Sequence, residues 1–152
     1  MSCKVEFMFE DDHGWVSLSF GDNQFIGECS YIKDILSDLA NALIKLKEGS
    51  SCEYLLAIYE PKSDLIELNT LGENVIVRVF RFGGPEEISW STNSLSQYAA
   101  LISEKVPDSE FTLSLKSVIT GFLESFEKID PTKYYEQWGH AWPSSLLRKF
   151  SA

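Results

Sequence analysis

The chain has 152 residues, 23 acidic against 13 basic, and a formal net charge of −10. That length fits one domain over residues 1–152, and 44% hydrophobic with 24% charged residues excludes a disordered or fibrous chain. The acidic excess argues against a nucleic-acid-binding protein or a membrane-surface protein, since both need basic surface.

Val5, Phe7 and Phe9 alternate with Lys4, Glu6, Met8 and Glu10, the period of two of a half-buried strand. Asp11-Asp12-His13-Gly14 reads as a turn. Val16, Leu18 and Phe20 then alternate with Trp15, Ser17 and Ser19, completing a hairpin. After Gly21-Asp22-Asn23, Phe25 to Cys29 gives a short third strand. Ile32, Ile35, Leu36, Leu39, Leu43 and Leu46 recur at steps of three and four and predict an amphipathic helix. Ser30 is its expected N-cap, Lys45 and Lys47 suit its last turn, and Gly49 stops it. Lys33, Asp34, Ser37, Asp38 and Asn41 fall on the wet face.

Four more strands follow. Tyr54 to Glu60 ends at Pro61, which marks a turn through Lys62 and Ser63, and Leu65 to Asn69 precedes the turn Leu71-Gly72-Glu73-Asn74. Val75 to Phe82 carries Val75, Val77 and Val79 on one face and Ile76, Phe80 and Phe82 on the other, as expected of a central strand covered on both sides. Glu87 to Ser91, with Ile88 and Trp90 on one side, makes the last strand. Then come helices. Leu95, Tyr98, Ala99, Ile102 and Val106 form an apolar stripe stopped by Pro107. Asp108 or Ser109 is placed to cap a longer helix carrying Phe111, Leu115, Val118, Ile119, Phe122, Phe126 and Ile129. Gly121 inside it costs about 1 kcal/mol against Ala unless something packs closely there. Asp130-Pro131 opens a short turn through Tyr134, Tyr135 and Trp138, Trp142-Pro143 breaks it, and Ser144 to Phe150 makes a last amphipathic turn. Strands followed by helices predict an α+β fold. The expected architecture is a mainly antiparallel sheet of six to seven strands, one helix after the third strand, and C-terminal helices packed on the sheet.

Cys3, Cys29 and Cys52 are an odd number without CxxC spacing, as expected of reduced thiols in a cytoplasmic protein. The first residues show neither a basic nor an apolar region of a signal peptide, and no apolar run approaches the roughly 18 residues of a membrane span. Cys3 and Cys29 fall on strands, while Cys52 falls in a loop with no local base to activate it.

Only two histidines occur, and each invites an acid–base reading. His13 lies beside Asp11 and Asp12, but the spacing matches no metal-ligand motif and a solvated turn explains it equally. His140 lies in Trp138-Gly139-His140-Ala141-Trp142-Pro143, which reads first as a structural lid over the end of the core. No GxGxxG, P-loop, HExxH or GxSxG occurs, so neither a metal nor a cofactor is expected. The charge is uneven: residues 1–76 hold 14 acids and 5 bases, residues 77–152 hold 9 and 8. That asymmetry fits simple solubility, or an acidic side that meets a basic partner.

Gly14-Trp15, Ser30-Tyr31 ahead of Asp34, Leu36, Asp38 and Leu39, Glu60-Pro61, the Val75–Phe82 strand, Tyr134-Tyr135, Trp138 and Trp142-Pro143 together resemble a diffuse group of small acidic bacterial proteins without agreed catalytic residues. In size, acidity and lack of catalytic motifs the chain also looks like immunity proteins of bacterial toxin systems, including contact-dependent inhibition. That resemblance implies a non-catalytic module that binds a cognate toxin domain, often a basic nuclease, encoded by the neighbouring gene. The candidate contacts are Asp11, Asp12, Asp34, Asp38, Glu60, Trp138, His140 and Trp142. Two other readings stand beside it: a small enzyme with a site near His140 or His13, and a structural or regulatory subunit of a homo-oligomer.

Overall fold

The structure, a computed structural model, describes residues 3–10, 13–21, 25–30, 34–59, 61–84, 86–89 and 94–150. Strands β1 (Cys3–Glu10), β2 (His13–Phe20) and β3 (Phe25–Ser30) form one antiparallel sheet in that order. Helix α1 (Ile35–Lys47) follows, and then β4 (Cys52–Tyr59), β5 (Lys62–Leu71) and β6 (Asn74–Phe82). Helix α2 (Leu95–Ile102) precedes β7 (Ser109–Ser114), which completes a second antiparallel sheet of order β4-β5-β6-β7. Helix α3 (Leu115–Glu127), the short α4 (Pro131–Lys133) running into a π-helical turn over Tyr134–Trp138, and α5 (Ser144–Lys149) close the chain. The fold is α+β, but the strands divide between sheets of three and four instead of forming one.

The hairpins follow their turn chemistry. Leu71 and Asn74 pair across Gly72-Glu73, where Gly72 holds φ at 61°, a left-handed value that an L side chain resists. Tyr59 pairs with Lys62, so the turn lies one residue earlier than expected and Lys62 and Ser63 already belong to β5.

Two expectations about strands are corrected. Residues 87–89, read as the start of a strand, form turn and bend, while Trp90 and Ser91 lie outside the described residues. The seventh strand comes instead from residues 109–114, which were read as the start of the long helix. Phe111 and Leu113 pack in the core two residues apart, and β7 pairs with the edge that β6 would otherwise leave open. Ser114 then caps α3 through Ser117 N–H. Gly121 is buried in α3, on a helix that packs against β1.

β6 lies between β5 and β7 and is covered on both faces, as expected. Val75, Val77 and Val79 join Leu55, Ala57, Ile66 and Leu68 in the main core, with Val5, Val16, Leu18 and Phe20 of the first sheet and the apolar stripes of α1 and α3. Phe80 and Phe82 face the other way, into a smaller cluster with Leu56, Ile58, Leu65, Ile88, Tyr98 and Ile102.

The N-cap of α1 is Asp34, not Ser30. Its carboxylate accepts from Ser37 N–H at 3.3 Å and Ser37 Oγ at 2.8 Å. The same Oδ1 accepts from Tyr134 Oη at 2.6 Å and Trp138 Nε1 at 3.0 Å, a hundred residues further on. Tyr134 and Trp138 are 0% exposed, and their four-residue spacing in the π-helical turn brings both donors to one oxygen. Gly139, at φ 82°, ends that turn. The Lys47 ammonium donates to the Phe150 carbonyl at 2.9 Å and ties down the last helix.

Asp34→Ala removes a cap and strands two buried donors, so stability should fall by about 3 kcal/mol. Asp130→Ala, which removes only the exposed cap on Thr132 N–H, should cost about 1 kcal/mol. Urea unfolding of both variants measures the difference, and equal losses would show that the two aromatic donors contribute nothing.

Candidate functional site

The four-stranded sheet carries a polar row across the face opposite the main core. Tyr54, Glu67, Arg78 and Glu110 sit opposite one another in register, one from each strand. Tyr54 Oη donates to Glu67 Oε2 at 2.9 Å, and Arg78 Nη1 to Glu67 Oε1 at 3.1 Å. Asn69 Nδ2 adds a bond to Glu67 Oε1 at 2.6 Å, and Arg78 Nε donates to Glu110 Oε2 at 2.6 Å. Glu67 is buried in the company of three donors. Burial first, and the Glu67 bond second, push the Tyr54 hydroxyl far above the usual tyrosine range. Glu110 and Glu67 hold Arg78 more firmly protonated still.

A second charged group lies on the main-core face of this sheet. Asp64, 1% exposed, accepts from Tyr59 Oη at 3.0 Å and Arg81 Nε at 3.1 Å. Burial, followed by the Asp64 charge, pushes the Tyr59 hydroxyl up to about 12.

Helix α2 lies across the apolar half of the first of these faces, and its apolar stripe is buried only in part. Only Tyr98 and Ile102 are buried. Leu95 is 49% exposed, Leu101 39% and Val106, just beyond the helix, 83%, with Ala99 and Ala100 exposed between them. The period predicted a helix correctly. What it did not show is that an eight-residue helix on a small cluster presents two anchors inward and leaves its remaining apolar side chains outside.

Three recesses border this helix. One of about 420 Å³ lies beside the polar row, among Tyr54, Glu67, Arg78, Ile102, Lys105 and Glu110. A shallow one of about 570 Å³ puts Glu86 and Glu87 next to Ala100 and Leu101. The third, about 190 Å³, lies between α1, the start of β4 and α2, and is lined by Asp38, Asn41, Lys45, Glu53, Leu95 and Tyr98 among others. Carboxylates thus border the exposed apolar side chains on all three sides. The nearby cations are partly engaged: Arg78 by Glu67 and Glu110, Lys105 over the Phe82 ring at 4.9 Å, and Lys45 loosely by Glu53 at 3.9 Å.

The residues singled out from the sequence do not gather in one place. Asp38 borders the smallest recess, whereas Asp34 is occupied in the clamp on Tyr134 and Trp138. Trp138 is buried and its indole N–H is committed to Asp34, so it serves the fold and offers no surface. Trp142 is half-buried against Phe126 and Tyr134, at ring distances of 4.9 and 5.2 Å. The His140 ring sits 5.5 Å from that of Trp138. His13 begins β2, and Asp11, Asp12 and Glu60 lie outside the described residues. Cys52, expected in a loop, is the first residue of β4, where burial raises its thiol pKa and makes it a poor nucleophile. Among the described residues no three His, Cys, Asp or Glu side chains form a metal-binding group, and no helix is long and apolar enough to cross a membrane.

Glu67, Arg78, Glu110 and the outward side of α2 were missed from the sequence. A trace existed: Arg78 interrupts the apolar run Val75–Phe82, and a charge at the centre of such a strand needs a cross-strand partner. Which carboxylates supply it depends on register.

No protein-family model matches the chain, and no curated protein sequence matches it. Among solved structures it is similar to a chain of a CdiA-CT/CdiI toxin and immunity complex from Enterobacter cloacae, at 16% identity and a TM-score of 0.49, over 81% of this chain and 99% of that one.

Tyr59 and Tyr98 hold their protons in the folded state to about pH 12, whereas unfolded tyrosine ionises near pH ~10. Between these values the unfolded state binds fewer protons, so stability should be complete below about pH 10 and fall as pH rises through that window. Urea unfolding at pH 9, 10 and 11 should show the decline, and Tyr59→Phe with Tyr98→Phe should make it shallower. An unchanged slope in the double variant would place the alkaline sensitivity elsewhere.

Proposed function

We propose that this protein is a non-catalytic protein-binding module of the immunity type, which neutralises a cognate toxin domain by docking through α2 and the carboxylates around it. The observation that carries the reading is the exposure of Leu95, Ala99, Ala100, Leu101 and Val106, spread around the outward side of α2 and just beyond it. Scattered surface leucines need no explanation, but a helix with most of its apolar side chains outward is a patch of the kind that partners cover. Its surround has the anatomy of an interface, with apolar anchors at the centre and a polar rim. Glu86, Glu87, Asp38, Glu53, Glu67 and Glu110 border it, and on a chain of charge −10 that rim suits a basic partner. Such complementarity steers encounter, while the apolar anchors set the lifetime of the complex. The acidic rim draws on both halves of the sequence, so the acids of the first half are not its sole source.

The partner to test is the product of the neighbouring gene, where this reading expects a toxin-like domain. Leu101→Asp with Leu95→Asp should weaken binding at least about tenfold while lowering the melting temperature by only a few degrees, since both side chains are already partly in water. Glu86→Lys with Glu87→Lys should slow association and flatten its salt dependence. Wild-type affinity in the leucine variant would overturn the assignment of α2. Equilibrium sedimentation of the free protein covers the competing occupant, because a dimer broken by Leu101→Asp would place a second copy of this chain on the face instead.

A further inference from the structure

β7 is the last strand of its sheet, and among the described residues no strand pairs with its outer side. Leu115 N–H donates to the Glu73 carbonyl at 3.1 Å, just past the Ser114–Asn74 pair, and Asp108 N–H donates to the Val79 carbonyl at 2.7 Å. In an antiparallel ladder, alternate residues turn both backbone groups toward the same neighbour. The Leu115 bond therefore sets Ser109, Phe111 and Leu113 against β6, while Glu110 and Thr112 direct N–H and C=O away from the sheet.

Three further features mark that edge. Proline and lysine, which commonly close an exposed edge, are absent from Ser109–Ser114. Phe111 faces the main core yet is only partly buried, as a core side chain is where no further strand covers it. The polar row Tyr54, Glu67, Arg78 and Glu110 alternates donor and acceptor across the sheet and stops on an acceptor. The Glu110 side chain remains 52% exposed, so its carboxylate has room for a donor besides Arg78.

We infer that the outer edge of β7 takes an extended basic segment of the protein partner as a fifth strand, with a lysine or arginine opposite Glu110. The inference rests on the reading that this chain docks a protein, and it adds a backbone-paired site to the α2 face. In such an addition the backbone bonds supply affinity, and the side chain set against Glu110 supplies selection. Opposite charges directly across a strand pair stabilise it, and like charges oppose it. A second copy of this chain fits less well, because β7 has no basic residue to set against Glu110 and two chains of charge −10 repel. Val106, 83% exposed, lies in the connection between α2 and β7, so the two surfaces adjoin along the chain.

The test follows amide hydrogen exchange in the intact protein. In the free protein the Glu110 and Thr112 amides should exchange faster than those of Phe111 and Leu113, and equal protection would overturn the open edge. The probe is acetyl-Thr-Val-Lys-Val-Thr-amide, compared with its glutamate counterpart and with a copy whose alternate amide nitrogens are methylated. The lysine peptide should slow exchange at Glu110 and Thr112 at least about tenfold on saturation. The glutamate peptide should bind at least about threefold more weakly, and the methylated copy should give no protection. Thr112→Pro removes an outward N–H and no ladder bond, so it should melt within a few degrees of the wild type. It should abolish the peptide's effect and weaken binding of the neighbouring gene product at least about tenfold. No protection by the lysine peptide, equal binding of the glutamate peptide, or wild-type affinity in folded Thr112→Pro would each overturn the inference. A dimer of the free protein that Thr112→Pro dissociates would overturn it too, by placing a second copy on the edge. The two readings fail separately. Peptide capture with no binding of the neighbouring gene product would remove the immunity reading and keep the edge, whereas loss of binding in the α2 leucine variant but not in Thr112→Pro would remove the edge alone.

Discussion

The structure depends on burying both faces of β6. Its valines look into a core shared by the two sheets, α1 and α3, and its phenylalanines look out the other side. The first face has ample cover, whereas the second has, among the described residues, one eight-residue helix and a few residues of the loop that leads to it. Phe80, Phe82, Leu56, Ile58 and Leu65 take up the inward side chains of that helix, each gaining about 1.5–3 kcal/mol from burial. The rest of the face is finished with polar groups. The row Tyr54, Glu67, Arg78 and Glu110 begins where the apolar cluster ends, so the same sheet face changes from oily to charged within one residue pair.

That half-covered face is why the surface near α2 differs from the rest of the described molecule. A helix too short to hide its own apolar side chains lies among carboxylates that β4, β5, β7, α1 and the 83–89 segment bring from distant parts of the sequence. The start of α1 is closed more thoroughly. One carboxylate, Asp34, begins α1 and also receives the hydroxyl of Tyr134 and the indole of Trp138, so the C-terminal segment and the first helix share a single polar contact. The aromatic residues near the C-terminus, which look from the sequence like either a lid or an interface, pack against Phe126 and Tyr134 in the core.

Much of the secondary structure was legible because period alone specifies it. The Val75–Phe82 run, the α1 stripe and the Asp130-Pro131 start keep their reading in the structure. Residues 109–114 did not, since Phe111, Leu113 and Leu115 fit a strand continuing into a helix as well as a single helix, and only the vacant edge of β6 decides between them. The cap of α1 was misplaced for a similar reason. Ser30 and Asp34 are both good N-caps in isolation, and Asp34 also receives two donors from a hundred residues away.

By itself the sequence determined the composition class, the α+β character, the acidic excess and the identity of the central strand, all of which follow from counts and from spacing along the chain. The tertiary structure decided how the strands divide between two sheets, that Asp34 and Trp138 serve the fold, and that α2 turns most of its apolar side chains outward. Periodicity tells a helix which side is apolar, but how much of that side is buried depends on the area its neighbours offer. Likewise a carboxylate in the sequence is only a charge, and its register against Arg78 is what gives it a partner.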